Sequence, residues 1–288
     1  MYKQLKKIVK YGKVVRNELL SQHTSYRVGG KADYFVMPSS VIELYDLIQY
    51  LTNRSIKYYV LGGGTNVLAM DSGYKGVVIC LKLINEIREY DDYIQVMAGT
   101  TLMEVCKYYQ EHNYCGLEDA TLIPGTVGAA VVGNAGAYKF TMGNIVKGVM
   151  VIEDGLIKYY SVEECGFVYR DSRLRNSIVL SVDIVKNIGC DYSRINEVIE
   201  LRSKQPKGYS AGSVFKRVDG IIVSKMLDEM GLKGLKIGGA RVSEVHAGFI
   251  INNGTATSQD ISNLISNIKD KVYKEKGVKL EEEIKYIV

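Results

Sequence analysis

This chain has little with which to hold a metal or build a disulfide framework. Its 288 residues include only three histidines, His23, His112 and His246, and these lie far apart, so no metal centre is expected. Five cysteines, Cys80, Cys106, Cys115, Cys165 and Cys190, are odd in number, scattered and nowhere spaced as CxxC. That argues against both a disulfide framework and a zinc site. No apolar run approaches the length of a membrane span. The net charge is only +5, which suits a polyanionic small molecule such as a nucleotide and is too weak and dispersed for a nucleic-acid binder. The N-terminus, with Lys3, Lys6, Lys7, Lys10, Lys13 and Arg16 around Leu5, Ile8 and Val9, lacks the apolar core and cleavage site of a signal peptide. It reads as a short basic helix docked on the surface. A cytoplasmic, reduced, metal-free monomer is the expectation.

What the chain does have is glycine in two concentrated places. In Tyr58-Tyr59-Val60-Leu61-Gly62-Gly63-Gly64-Thr65-Asn66-Val67-Leu68 an apolar strand runs into three glycines and two small polar residues. Residues without Cβ let successive N–H groups converge on phosphate oxygens. The P-loop pattern GxxxxGK[ST] is absent, and the Rossmann fingerprint lacks its third glycine, since Val67 stands there. The stretch before the next strand, Val77 to Leu81, is also too short for a helical crossover. The alternative is a plain tight turn.

Strands and helices alternate around this loop. Ala32 to Met37 reads as a strand, and Ser40-x-x-Glu43 opens a helix whose Ile42, Tyr45, Leu47, Ile48 and Leu51 should face a core. Thr101-x-x-Glu104 opens a second helix, from about Leu102 to His112, with Leu102, Val105, Cys106 and Tyr109 on one face. Short β-rich runs follow, Gly148–Ile152, Ile157–Ser161 and Ser177–Val185. A helix with Ile195, Val198, Ile199 and Arg202 leads to Gln205-Pro206, the boundary of a second unit. That unit has a helix ended by Gly231, a long helix with Ile261, Leu264, Ile265, Ile268 and Val272, and a closing strand from Glu283 to Val288. The fold class is α+β.

The second glycine-rich stretch runs from Ile123-Pro124-Gly125-Thr126 through Val127-Gly128-Ala129-Ala130 to Gly133-Asn134-Ala135-Gly136-Ala137-Tyr138. Thr126 can cap a short helix whose small residues let its N-terminal N–H groups approach a ligand; the alternative is a tightly packed buried helix. Two such loops, each after a β-like segment, favour one long ligand lying across both.

These two loops, together with His23 to Gly30, Cys165 to Ser172, Ala211 to Lys216, Gly231 to Gly234, Gly238 to Phe249 and Gly277 to Ile284, resemble the UDP-N-acetylenolpyruvoylglucosamine reductases in consistent order over nearly the whole chain. The resemblance implies an FAD domain of the vanillyl-alcohol-oxidase type at 22–190, in two subdomains divided near residue 82. A basic helix at 1–21 precedes it; a substrate domain at 191–276 and a C-terminal strand at 277–288 follow. The lack of an inserted stretch with a mobile tyrosine implies the shorter of the family's two types. Non-covalent FAD, NADPH as hydride donor and a UDP-sugar substrate are implied with it.

Hydride arriving at the terminal carbon of an enolpyruvyl group leaves negative charge on the adjacent carbon and its carboxylate. A cation and a hydrogen-bonding acid would stabilise that state, and a proton donor must then reach the carbon bearing the ether oxygen. By resemblance Ser213 is the donor, and Arg170 and Glu283 are the carboxylate polarisers; Glu281 and Glu282 are then expected to be silent. Gly62, Gly63, Gly64, Thr65, Asn66, Val67, Leu68, Gly125, Thr126, Gly128, Ala129, Asn134, Ala135, Gly136 and Ala137 are the candidate FAD contacts. Tyr169, Arg202 and Lys216 are the candidate substrate contacts, the two cations through the diphosphate. His246 reads as a structural hydrogen-bonding residue rather than a general acid. Ala129 stands where the family has a glycine, so its methyl is expected to crowd the flavin.

Overall fold

The structure, a computed structural model, describes residues 1–218 and 220–288. The chain divides into two compact units. The first comprises Met1–Arg16, Tyr34–Gly63 and Gly76–Ser203; the second comprises Asn17–Asp33, Gly64–Lys75 and Lys204–Val288. This interleaved division differs from contiguous domains at 22–190 and 191–276. Strand Val67–Ala69 pairs in parallel with strand Lys285–Ile287, and Tyr26, Val28 and Leu68 share an apolar cluster with Val214, Leu227 and Ile265. Those contacts draw both early segments into the second unit.

Within the first unit the basic N-terminal helix is short, α1 at Tyr2–Ile8. It gives way to strand Lys13–Leu19, where adjacent Val14 and Val15 favour extended backbone. The next helix, α2 (Val41–Thr52), starts at Ser40, whose side chain accepts from Glu43 N–H. Glu43 does not complete the box but accepts from Ser39 and Tyr11 N–H. Leu47, Ile48 and Leu51 are buried as expected, together with Leu44, whereas Ile42 is turned outward, to 74% exposure. The capping box of α3 (Leu102–Glu111) is complete, and its apolar face buries the four expected residues.

Strands 13–19, 31–37, 74–80 and 58–61 form one sheet in that order. Tyr58–Leu61 and Tyr74–Cys80 are parallel neighbours, yet residues 62–73 between them hold no helix, so this is no Rossmann crossover. A second sheet runs 156–161, 146–153, 178–185, 93–97, 87–89, antiparallel throughout. The glycine-rich helix α4 (Val127–Val132) packs on its strand Ile178–Val185. Helix α5 (Tyr192–Ser203) ends the unit, burying Ile195 and Val198 and leaving Ile199 exposed.

In the second unit α6 (Val223–Glu229) stops as expected, with Gly231 at φ 67°. The long helix α7 (Ser258–Lys276) begins in a full capping box at Thr257 and ends at left-handed Gly277. All five expected apolar residues of α7 are buried, against a three-stranded sheet of residues 236–237, 240–242 and 250–252. The final strand covers only Lys285–Ile287, so Glu283 lies before it rather than within it.

Candidate active site

In the first unit the two glycine-rich loops touch backbone to backbone. A Cβ on Gly63 would lie 2.6 Å from Gly125 Cα, and one on Gly62 would lie 2.6 Å from Thr126 Oγ1 and 2.7 Å from Ala129 Cβ. The Ala129 methyl is therefore accommodated by the missing side chain at Gly62. Gly128 serves packing, since a Cβ there would meet Ala98 Cβ at 2.8 Å. The helix N-terminus also differs from expectation. Thr126 makes no side-chain cap bond, and the N–H groups of Val127 and Gly128 bond to the carbonyls of Thr100 and Ala98. Tight docking of α4 onto residues 98–100 thus uses donors that a phosphate would otherwise take.

Residues 133–138 continue as a cap and a small hairpin. Gly133 caps α4, Gly136–Ala137 pairs with Phe140–Thr141, and Ala135 N–H bonds back to Ala130 O at 2.7 Å. Asn134 is buried, and its amide is committed to protein: Nδ2 donates to Val168 O at 2.8 Å and Oδ1 accepts from Gly143 N–H at 3.0 Å. Each of its two polar side-chain atoms thus already has one protein partner. Tyr138, at φ 54°, lies under two guanidinium groups, Arg194 at 5.4 Å and Arg202 at 5.8 Å. Arg194 is pinned by Asp119, which also accepts from Lys139 N–H. Arg202 Nε has no hydrogen-bond partner among the described residues, and burial pushes its pKa below the ordinary guanidinium value, against the opposing pull of Tyr138.

Arg170 occupies a tight turn closed by mutual hydrogen bonds between Val168 and Asp171. Its φ of 56° is left-handed, at the turn position where Gly or Asn is preferred, and such strain gathers at functional sites. The guanidinium donates to Gly136 O at 2.7 Å and lies 5.3 Å from the ring of Tyr169, which is itself half exposed.

In the second unit Gly64, at φ 73°, packs so closely on His23 that a Cβ would sit 1.9 Å from its carbonyl oxygen. Ser25 N–H bonds to Gly64 O at 2.9 Å. Thr65 and Asn66 lead into strand Val67–Ala69, in which Val67 and Leu68 are buried. The Leu68 side chain joins the apolar cluster of this unit.

Ser213 opens an extended segment that the chain brackets on both sides. Ser213 bridges to Phe249, and Val214 N–H bonds to Gly248 O at 2.8 Å. On the other side Glu283 N–H bonds to Val214 O at 2.8 Å, Phe215 bridges to Glu282, and Lys216 N–H bonds to Glu281 O at 2.9 Å. Ser213 and Glu283, far apart in sequence, are thus on neighbouring segments. A Cβ at Gly248 would lie 3.0 Å from both Ser213 Oγ and His246 Cε1, so glycine there leaves the space between hydroxyl and imidazole open. His246 Nδ1 accepts from Gly248 N–H at 3.2 Å, which puts the proton of the neutral ring on Nε2. Burial pushes its pKa below the ordinary value, and nearby Lys233 lowers it further.

The glutamate run is divided rather than uniformly solvated. Glu281 pairs with Lys216, while Glu282 accepts from Lys269 at 2.8 Å and from Tyr286 OH at 2.6 Å. The two intended silent neighbours of Glu283 both hold partners. Sequence reading missed three supports: Gly248, Asp119 and Ser172. Gly248 and Ser172 lie inside runs already singled out; Asp119 gave no signal.

A family profile described as the C-terminal domain of UDP-N-acetylenolpyruvoylglucosamine reductase matches residues 204–287. One described as an FAD binding domain matches residues 32–157. The UDP-N-acetylenolpyruvoylglucosamine reductase of Caldanaerobacter subterraneus subsp. tengcongensis is 42% identical over 294 residues, covering 99% of this chain and 97% of that protein. The crystal structure of the reductase of that name from Thermus caldophilus superposes with a TM-score of 0.85 at 32% identity, covering 96% of this chain and all of that one, 100%. Berberine bridge enzyme from Eschscholzia californica shares the fold alone: TM-score 0.51, 15% identity, 65% of this chain and 43% of that one.

Proposed function

The chain belongs to the UDP-N-acetylenolpyruvoylglucosamine reductases, and we propose that Ser213 is its proton donor, with Arg170 and Glu283 stabilising charge on the substrate carboxylate. It is an FAD-dependent oxidoreductase that uses NADPH to reduce UDP-N-acetylglucosamine enolpyruvate to UDP-N-acetylmuramate for peptidoglycan. The FAD binding domain profile covers both glycine-rich loops, and glycine at 62 and 63 is what lets the two loops pack directly on each other. When bound, FAD would supply the hydride chemistry that links NADPH to the enolpyruvyl double bond.

The protein's own groups then have two tasks. Charge developing beside the carboxylate needs fixed donors, and Arg170 supplies a permanent cation held by its bond to Gly136 O. Glu283 must be protonated or strongly hydrogen-bonded when substrate is present, because two facing carboxylates repel. The proton for the ether-bearing carbon comes from Ser213 Oγ. The observation that carries this reading is the bracketing of residues 213–216 by 248–249 and 281–283, which puts Ser213 and Glu283 on neighbouring hydrogen-bonded segments.

Lys216 and Arg202 are assigned to the substrate diphosphate, and Tyr169 to the substrate. The Lys216 side chain is 13% exposed while its partner Glu281 is 71% exposed, so a diphosphate can replace a weakly held carboxylate. We read the protein as a cytoplasmic monomer acting on a UDP-sugar and not on nucleic acid; among the described residues no helix is long and apolar enough to cross a membrane. The test is turnover in D2O with NADPH. Deuterium should appear at the ether-bearing carbon of UDP-N-acetylmuramate, because the Ser213 hydroxyl exchanges its proton with solvent. Absence of solvent deuterium at that carbon would contradict proton delivery from an exchangeable donor.

A further inference from the structure

The turn that carries Arg170 is gripped at three points by alternate residues of one short segment, 132 to 136. Val132 O accepts from Ser172 Oγ at 2.8 Å, the Asn134 amide donates to Val168 O at 2.8 Å, and Gly136 O accepts from the Arg170 guanidinium at 2.7 Å. The segment is the last residue of α4, its cap Gly133 and the turn that follows, and all three bonds run from it to residues 168–172, which makes it one clamp. The centre of the clamp is Asn134. Its φ is 41°, a conformation that Asn adopts far more readily than most residues. It is 5% exposed, and its oxygen is held by Gly143 N–H. That second bond fixes which way the amide faces and so keeps Nδ2 on the turn.

The turn needs such a clamp. Arg170 has left-handed backbone without being Gly or Asn, a conformation unfavourable for an L residue with a Cβ, so a free turn would relax to other conformations. Asp171 N–H also bonds to Val168 O, at 3.2 Å, so that carbonyl serves both the turn and Asn134. The segment doing the clamping leaves directly from the C-terminal end of α4, whose other end packs beside Gly62 and Gly63.

We propose that Asn134 is a positioning residue for Arg170: it fixes the Val168–Asp171 turn so that the guanidinium is set before substrate arrives. This rests on the reading of Arg170 as a carboxylate polariser, and the test separates the two. Asn134→Asp tolerates the same φ and keeps an acceptor for Gly143 N–H, but sets an anion against Val168 O. NADPH should reduce the flavin of this variant at the wild-type rate. Reoxidation by UDP-N-acetylglucosamine enolpyruvate should slow on the order of 10- to 100-fold, the scale of a small misplacement of a catalytic group.

The deciding measurement is the cycle with Arg170→Ala. If Asn134 acts through Arg170, Asn134→Asp should slow reoxidation in the wild type and add nothing in the Arg170→Ala background. Equal slowing in both backgrounds, or no slowing in either, overturns the positioning role. If Arg170→Ala alone reoxidises at the wild-type rate, the reading of Arg170 falls and takes this inference with it. Should Asn134→Asp fold poorly, Asn134→Gly, which keeps the left-handed backbone and removes both side-chain bonds, is run through the same cycle with the same criteria.

Discussion

Replacing Gly63 by alanine adds one methyl group at the tightest point between the two glycine-rich loops. The new Cβ would lie 2.6 Å from Gly125 Cα, 3.3 Å from Gly125 C and 3.4 Å from Thr126 N. All three are backbone atoms, so no side chain can swing aside. Ordinary carbon contact needs about 3.5–4.0 Å, so the loops must part by roughly 1 Å. Overpacking of this kind costs about 1–3 kcal/mol, shared between stability and cofactor affinity. At 1.4 kcal/mol per factor of ten, the upper limit on FAD binding is roughly 5- to 150-fold weaker. Gly133→Ala is the matched control: its Cβ would meet only Ala129 O, at 3.6 Å, an ordinary contact. Apoprotein of each variant is titrated with FAD by flavin fluorescence, and melting is followed with and without FAD. Gly63→Ala should show both a raised Kd and a lowered Tm, and Gly133→Ala neither. Wild-type Kd and Tm for Gly63→Ala would refute the contact between the loops.

Glu282→Gln should lower the stability of the second unit by about 1–3 kcal/mol in chemical denaturation, because Lys269 and Tyr286 both lose an anionic acceptor; an unchanged midpoint would contradict those bonds. Glu281→Gln should raise KM for the UDP substrate less than Lys216→Ala does, since the exposed carboxylate only parks the lysine. The acid limb of stability should depend on Glu89, whose pKa is held at about 2 by Lys186, Tyr108 and Tyr114. With an unfolded value near 4.3, its contribution is complete above that pH, falls as pH drops, and is gone by about 2. Denaturation curves between pH 5 and 2 should therefore be flatter for Glu89→Gln, and an unchanged slope would show that the network does not hold in solution.

Much of this architecture was legible in the sequence because local signals agree with tertiary packing. The Thr101-x-x-Glu104 box, the α7 stripe and Gly231 each specify their element within a few residues. Ile42 misled because Glu43 is drawn inward by Ser39 and Tyr11 N–H, so the first turn of α2 buries Glu43 and Leu44 in its place. The interleaved units were not legible, since the parallel pairing of residues 67–69 with 285–287 joins segments more than two hundred positions apart. Around the site, glycine runs located the loops, but which backbone atoms they press against is a property of the fold. The sequence could not reveal that Gly128 yields to Ala98, that the α4 donors are spent on Thr100 and Ala98, or that the Asn134 amide reaches the turn at Val168.

The central claim, that Ser213 supplies the proton, is tested most directly by stopped-flow absorbance of Ser213→Ala in its two half-reactions. Reduction by NADPH requires no proton delivery to the UDP substrate, so the flavin should bleach at the wild-type rate. Reoxidation by UDP-N-acetylglucosamine enolpyruvate should slow by about 10²–10⁴-fold, the contribution of a positioned general acid. Wild-type reoxidation, or equal slowing of both halves, would contradict the assignment and return Ser213 to a structural role beside Gly248 and His246.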